Sequence, residues 1–287
     1  MQKEDINIRR IQLNDLSGAI RLSTEQGWNQ TERDWKMIIE NPQNSCLLAE
    51  YHGKIIGTTA AMNYSNKVAW ITMVLVDKEF RGHGISKSLL EIVLKELQHC
   101  KSIKLDATPE GQPVYKQFNF SDEYLISRMT IDSIKNLSFH NDELLPEPIQ
   151  LKNLPAIIAY DEQVFGANRA QLIESLVKEY PHKAWMINRN HAIVGYVLGR
   201  IGRKYQQIGP VMATSYDDAK ILMKLSLHES EGKPTVVDVL NDKENLMNLL
   251  KSFGFAHQRH FVRMYRGHNP FPGNIEKHYL ICGPEFG

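Results

Sequence analysis

Trp70-Ile-Thr-Met-Val-Leu-Val-Asp-Lys-Glu-Phe-Arg-Gly-His-Gly-Ile-Ser-Lys-Ser-Leu-Leu90 decides how the chain is read. Its opening run, Trp70 to Val76, is apolar and rich in β-branched residues, which predicts a buried strand. A polar turn, Asp77 to Phe80, leads into Arg81-Gly82-His83-Gly84, after which Leu89, Leu90, Val93, Leu94 and Leu97 recur at helical spacing. Two glycines between a strand and a helix allow close approach of backbone to a ligand, with N–H groups pointing outward. The positive end of the helix dipole adds to this, and the usual guest is a phosphate.

Upstream, Ile6, Ile8 and Ile11 predict a first strand, and Asn14-Asp15 can cap a helix running to about Glu25. Gly27-Trp28-Asn29-Gln30 interrupts the pattern. Thr31 and Asp34 have capping-box spacing at the head of a helix carrying Trp35, Ile38 and Ile39. Ser45 to Tyr51 and Ile55 to Tyr64 predict a hairpin turned at His52-Gly53-Lys54. Downstream of the glycine loop, Ser102 to Ala107 predicts a strand, Val114, Tyr115 and Phe118 a short helix, and Phe120 to Ile131 a closing strand. The order is β-α-α-β-β-β-α-β-α-β.

This order and Arg81-Gly82-His83-Gly84-Ile85-Ser86 resemble the GNAT superfamily of acetyl-CoA-dependent N-acyltransferases, whose loop reads Arg/Gln-x-x-Gly-x-Gly/Ala. Ser86 is a mild departure at the last, small position. Pro113-Val-Tyr115-Lys-Gln-Phe-Asn119-Phe120 resembles the family's Tyr-x-x-x-Gly-Phe, with Asn119 in place of Gly; Asn tolerates left-handed backbone best among other residues. The resemblance implies that backbone at Val74, Leu75 and Val76 binds the pantetheine arm of acetyl-CoA. It implies that N–H groups of Arg81, Gly82, His83, Gly84, Ile85 and Ser86 hold the pyrophosphate. It also makes Tyr115 the general acid for the departing thiolate; the alternative for Tyr115 is core filling beside Phe118. Trp28 and Asn29 lie where the family places its substrate loop, with Trp28 as an apolar wall, a cation–π face or a core residue. Asp106, which ends a strand beside the expected thioester site, is placed with Trp28 and Asn29 as substrate-binding, but neither it nor Glu25 or Asp34 stands out as a base. His83 faces the phosphate side and is not expected to be catalytic.

The second half repeats the first without the loop. Lys54-Ile-Ile-Gly57 returns as Ala192-Ile-Val-Gly195, Phe118-Asn-Phe120 as Phe253-Gly-Phe255, and Arg128-Met129 as Arg263-Met264. The central strand and loop become Gln207-Ile-Gly-Pro-Val-Met-Ala-Thr-Ser-Tyr-Asp-Asp218, and Leu250 stands in the place of Tyr115. Asp161, Phe165-Gly166, Arg169 and Ile208-Gly-Pro-Val211 resemble marks of the C-terminal domain of bacterial tandem-GNAT proteins. The expected fold is α/β (α+β): two GNAT folds in tandem, each a mixed, mostly antiparallel sheet flanked by helices. Residues 1–132 are the expected acetyltransferase domain, 133–148 a linker, 149–267 a GNAT-like domain without a coenzyme site, and 268–287 a tail. The Gly and Pro content of the tail alone reads as disorder, but Gly283-Pro-Glu-Phe-Gly287 resembles the ending of tandem-GNAT relatives, which implies that it folds back across the junction. The second domain walls the substrate cleft or braces its neighbour.

Composition sets outer bounds. The chain of 287 residues has 42% hydrophobic and 23% charged residues with a net charge of +1, so there is no electrostatic case for nucleic acid or an anionic membrane. The N-terminus lacks a signal-peptide core, and no apolar run approaches the roughly 20 residues of a membrane span. Three scattered cysteines and no His spacing of the HExxH kind suggest neither disulfides nor a metal. The expectation is a cytoplasmic monomer or homodimer that acetylates the primary amine of a small molecule. A protein lysine or N-terminal acceptor, and a non-catalytic acetyl-CoA sensor, stand as alternatives.

Overall fold

The computed structural model describes residues 5–134 and 146–287, so most of the expected linker lies outside the described residues. The first half follows the order read from sequence: β1 (Ile6–Arg10), α1 (Leu16–Glu25), α2 (Glu32–Glu40), β2 (Ser45–Tyr51), β3 (Lys54–Tyr64), β4 (Val68–Val76), α3 (Ile85–Glu96), β5 (Ser102–Ala107), α4 (Gln112–Lys116) and β6 (Phe120–Ile131). Local chemistry sets several boundaries. Thr31 and Asp34 form the capping box that starts α2, Asp34 accepting from the Thr31 N–H at 2.6 Å. Asn119 does take the left-handed conformation, φ 63°, that the missing glycine would otherwise supply.

The second half repeats the plan with β7 (Glu147–Pro148), α5 (Leu154–Phe165), α6 (Ala170–Glu179), β8 (Trp185–Arg189), β9 (Ala192–Ile201), β10 (Gln206–Ala213), α7 (Tyr216–His228), β11 (Thr235–Leu240), α8 (Glu244–Ser252) and β12 (Ala256–Arg266), then β13 (His278–Leu280). Among the described residues these strands make one continuous sheet in the order β1-β2-β3-β4-β5-β12-β6-β11-β13-β10-β9-β8-β7. The closing strands are therefore exchanged. β12 of the second half pairs antiparallel with β5 of the first, and β6 pairs antiparallel with β11.

Two buried ion pairs lock the exchange. Arg263 on β12 reaches Asp106 on β5 through Nε and Nη2, both at 2.9 Å. Arg128 on β6 reaches Asp238 on β11 through Nε and Nη2, at 2.7 and 2.8 Å. These are the two arginines of the sequence repeat, each answering a carboxylate from the opposite half. The sheet faces are covered unevenly. α3 packs over one core of the first half (Leu89, Leu90, Val93, Leu105), and α7 and α8 over the matching core of the second (Leu222, Met223, Leu246, Leu250). The other faces share a single core in which Leu22, Trp35 and Trp70 meet Ile157, Leu172 and Tyr196.

Candidate active site

In β4 the backbone parts from its neighbours. Its parallel pairing to β5 covers Val68, Ala69 and Trp70 only, so the strands part beyond that point. A bulge against β3 falls at the same place, where Met73 has φ 52° and its carbonyl accepts the Thr58 hydroxyl at 2.8 Å. A non-glycine residue is held there by packing, since Met73 is buried. The parted strands leave Val74, Leu75 and Val76 on the wall of a cleft of about 570 Å³, a size suited to small-molecule binding.

At the end of β4, Asp77 is clamped by Lys54 at 3.0 Å and Arg21 at 3.1 Å and accepts from the Glu79 N–H at 3.2 Å. This anchors the turn into the glycine loop. Gly82 and Gly84 have φ 80° and 77°, and a side chain placed on Gly82 would project into open space. No side chain caps α3, so its first-turn N–H groups face the cleft without a competing acceptor. Arg81, Gly82, Gly84, Ile85 and Ser86 all line it. His83 does not; its Nδ1 turns back to the carbonyls of Phe80 and Arg81, at 3.2 and 3.0 Å. These features fit coenzyme A: a parted strand for an amide-bearing arm and an uncapped glycine loop for a pyrophosphate.

Tyr115 enters the cleft from α4, with its ring 5.9 Å from that of Phe120. Burial pushes its phenol well above the ordinary range, so it remains a proton donor at neutral pH. Trp28 also lines the cleft. Two other expected residues are placed differently. Asn29 is turned into the junction between halves, where its amide donates to the Tyr205 carbonyl at 3.1 Å and accepts from the N–H groups of Lys204 and Tyr205. Its side chain is consumed by backbone and does not line the cleft. Asp106 reaches the cleft wall, but both oxygens are held by Arg263, which makes it a strut between exchanged strands. Burial pushes its carboxyl up while the guanidinium opposes that.

The far wall comes from parts of the chain that local patterns do not connect to the loop: Arg128, Arg259, Phe261, Pro284 and Glu285. The tail crosses the junction to reach it. Trp70 Nε1 donates to the Pro284 carbonyl at 3.0 Å, Tyr64 to the Phe286 carbonyl at 2.9 Å, and Arg169 to the Gly287 carbonyl at 2.6 Å. Arg169 is itself held by Asp161 through two bonds. A sequence signal for this existed in Gly283-Pro-Glu-Phe-Gly287, but nothing local said which cleft it would enter.

The second half's counterpart is closed. β10 pairs with β11 over Gln206, Gln207 and Ile208, and beyond that β13 lies between them, where the first half has its opening. A Cβ on Gly209 would come within 2.0 Å of the Ile281 carbonyl oxygen, so the tail backbone fills this position. The N-terminus of α7 is capped by Ser215, with Asp217 and Asp218 in its first turn, an arrangement that repels anions.

Two family models, both described as an acetyltransferase (GNAT) domain, match residues 20–124 and 157–280. The holothin acyltransferase of Pseudoalteromonas sp. (strain SANK 73390) is 25% identical over 276 residues, covering 94% of this chain and 89% of that protein. A Pyrococcus horikoshii structure assigned as an acetyltransferase superposes with a TM-score of 0.81 at 21% identity, covering 100% of this chain and 98% of the other. A tandem GNAT protein from the clavulanic acid biosynthesis pathway gives 0.62 at 12% identity, with 91% and 98% covered. The chain belongs to the GNAT acetyltransferase family and carries two such domains in tandem. It is an acyltransferase by that membership. Among the described residues no helix is long and apolar enough to cross a membrane.

Proposed function

We propose that the chain transfers an acetyl group from acetyl-CoA to the primary amine of a small molecule, by direct attack within a ternary complex in the first half. The observation that carries this reading is a single cleft. It joins the parted end of β4, the uncapped glycine loop and Tyr115 to an acceptor side walled by Trp28, Phe261 and the tail. That walled side favours a small acceptor over a lysine on a folded protein. The closed counterpart in the second half supports one acetyl-CoA per chain.

Acetyl-CoA supplies the acyl group as an activated thioester. Backbone from Val74 to Val76 orients the arm, and N–H groups from Arg81 to Ser86 with the Arg81 guanidinium hold the diphosphate. The amine nitrogen bonds to the acetyl carbon as the carbon–sulfur bond breaks; the surplus proton on nitrogen passes to water, the Tyr115 hydroxyl protonates sulfur, and the phenolate regains a proton from solvent before the next turnover. The buried phenol, raised above its ordinary range, stays protonated until charge develops on sulfur, which confines its role to bond cleavage.

The test is turnover across a broad amine panel, with Tyr115→Phe alongside. The expected result is a fall of about 10²-fold or more in kcat with little change in the Kd for acetyl-CoA. Wild-type turnover by Tyr115→Phe would remove the acid assignment. Acetylation confined to protein substrates would remove the small-molecule one.

A further inference from the structure

The second half grips the first at one stretch of the cleft wall. Trp28 and Gln30 line the cleft, while Asn29 between them is buried in the junction between halves. There it plugs the turn, residues 202–205, that joins β9 to β10. The Asn29 side chain accepts from the N–H groups of Lys204 and Tyr205, at 2.9 and 2.8 Å. It also donates to the Tyr205 carbonyl, which accepts the Gly202 N–H that closes the turn. The Asn29 carbonyl accepts from the Arg203 N–H at 2.8 Å, and the Trp28 carbonyl from the Arg203 guanidinium at 3.2 and 3.3 Å. Gly202 leaves the room for this arrangement, since a Cβ there would overlap the Asn29 amide. Its backbone is not left-handed, so space and not conformation calls for glycine.

The first half secures only the ends of this stretch. At one end the N–H groups of Gly27 and Trp28 bond back to the carbonyls of Thr24 and Ser23 in α1. At the other, Asp34 accepts from the Thr31 N–H and hydroxyl at 2.6 and 2.9 Å. Even that carboxylate is braced by the second half, with Arg200 Nη1 of β9 lying 3.2 Å from each of its oxygens. Among the described residues, the Asn29 side chain and carbonyl bond to the turn alone. The link to the glycine loop lies outside the gripped residues. Gln26 accepts from the Arg81 guanidinium at 2.6 Å and is itself held by α1, its N–H donating to the Leu22 carbonyl.

We propose that the β9–β10 turn of the second half sets acceptor binding in the first half's site, with Asn29 as a positioning residue that fixes how far Trp28 and Gln30 reach into the cleft. This rests on the acetyl-transfer reading above. Pinning the middle of three consecutive residues fixes both neighbours. Without the pin, a short irregular segment beside Gly27, whose φ is 69°, is free to swing. Displacing a wall by about 1 Å is enough to spoil the placement of a reactant. The second half thereby gains a task beyond bracing the sheet. A change in the length or sequence of residues 202–205 alters which amine fits, without touching the groups that hold the coenzyme.

The experiment measures, in the full chain, acetylation of the best-used primary amine of the panel together with acetyl-CoA affinity by calorimetry. Asn29→Ala and Gly202→Ala should each raise the acceptor KM about tenfold or more, change kcat less, and leave the Kd for acetyl-CoA within about twofold. Alanine at 202 acts by striking Asn29, so adding it to Asn29→Ala should cost little further. Hydrogen–deuterium exchange over residues 26–34 should quicken about tenfold in both single variants, with exchange in α3 unchanged. An acceptor KM at the wild-type value in the folded variants, even with a lowered unfolding midpoint, reduces the turn to a brace and overturns the proposal. An acetyl-CoA Kd that moves in step with the acceptor KM, or exchange that stays at the wild-type rate, overturns it too, and each of these leaves acetyl transfer standing. Binding of acetyl-CoA by the wild type with no amine consumed overturns the transfer reading, and this proposal with it.

Discussion

The crossed ion pairs allow the strand exchange to be measured. By sequence repeat, Arg128 and Arg263 are equivalent, and each has a carboxylate within its own half that a closed domain would offer it: Asp106 for Arg128 and Asp238 for Arg263. The structure pairs them the other way, Arg263 with Asp106 and Arg128 with Asp238. For Asp106 and Arg263, charge centres about 4 Å apart attract by about 4 kcal/mol at an effective dielectric of 20. Relaxation in the single variants removes part of this, so a double-mutant cycle of Asp106→Asn and Arg263→Met should give a coupling of about 3 kcal/mol. Each single variant should lose about 3–5 kcal/mol, because the partner stays buried and unpaired. The control cycle joins Asp106→Asn with Arg128→Met. β12 lies between those residues, placing them about 10 Å apart, and the coupling should fall below about 0.5 kcal/mol. Urea unfolding with linear extrapolation supplies every corner of both cycles. A coupling between Asp106 and Arg128 equal to or larger than that between Asp106 and Arg263 would refute the exchange.

Other perturbations test the coenzyme site, the tail and a buried lysine. Gly84→Glu puts a carboxylate at a left-handed position beside the uncapped end of α3 and should abolish acetyl-CoA binding by calorimetry; unchanged affinity would sink the loop assignment. Phe286→Ala empties a fully buried position in the shared core and should cost about 3–5 kcal/mol in urea unfolding, against almost nothing if the tail were loosely attached. Lys183 is buried against Gln206 and Ser230, and burial, with Lys233 adding to it, lowers its ammonium from 10.5 to about 8. Between those values the unfolded chain binds more protons, so this group makes stability rise from pH 8 to 10.5, and its penalty of about 3 kcal/mol is complete below pH 8. Lys183→Met should therefore be relatively more stable at pH 7 than at pH 10.5, and a stability difference from wild type that is flat across this window would contradict the assignment.

Local patterns carried much of this protein. Alternation, helical spacing and capping residues specified β1 through β6 in order, and the glycine loop was legible as a strand-to-helix turn because its pattern is contained in six consecutive residues. The replacement of that loop by Thr214-Ser215-Tyr216-Asp217-Asp218 was equally legible as a loss. What lay beyond reach was pairing. A strand's sequence states which face is buried but not which edge it joins, and two copies of one pattern offer Arg128 and Arg263 the same local invitation. Only the assembled sheet decides that each arginine meets the other half's aspartate. The tail has too many Gly and Pro residues to show a period, and its burial depends on a groove that exists only once both halves are in place. Asn29 and Asp106 were placed by position along the chain, yet their polar atoms are taken by Tyr205 and Arg263, more than 150 residues away. Conversely, nothing local in the sequence places Arg259 or Glu285 on the cleft wall, and tertiary structure brings them there because the exchange of β12 and the return of the tail set its far side.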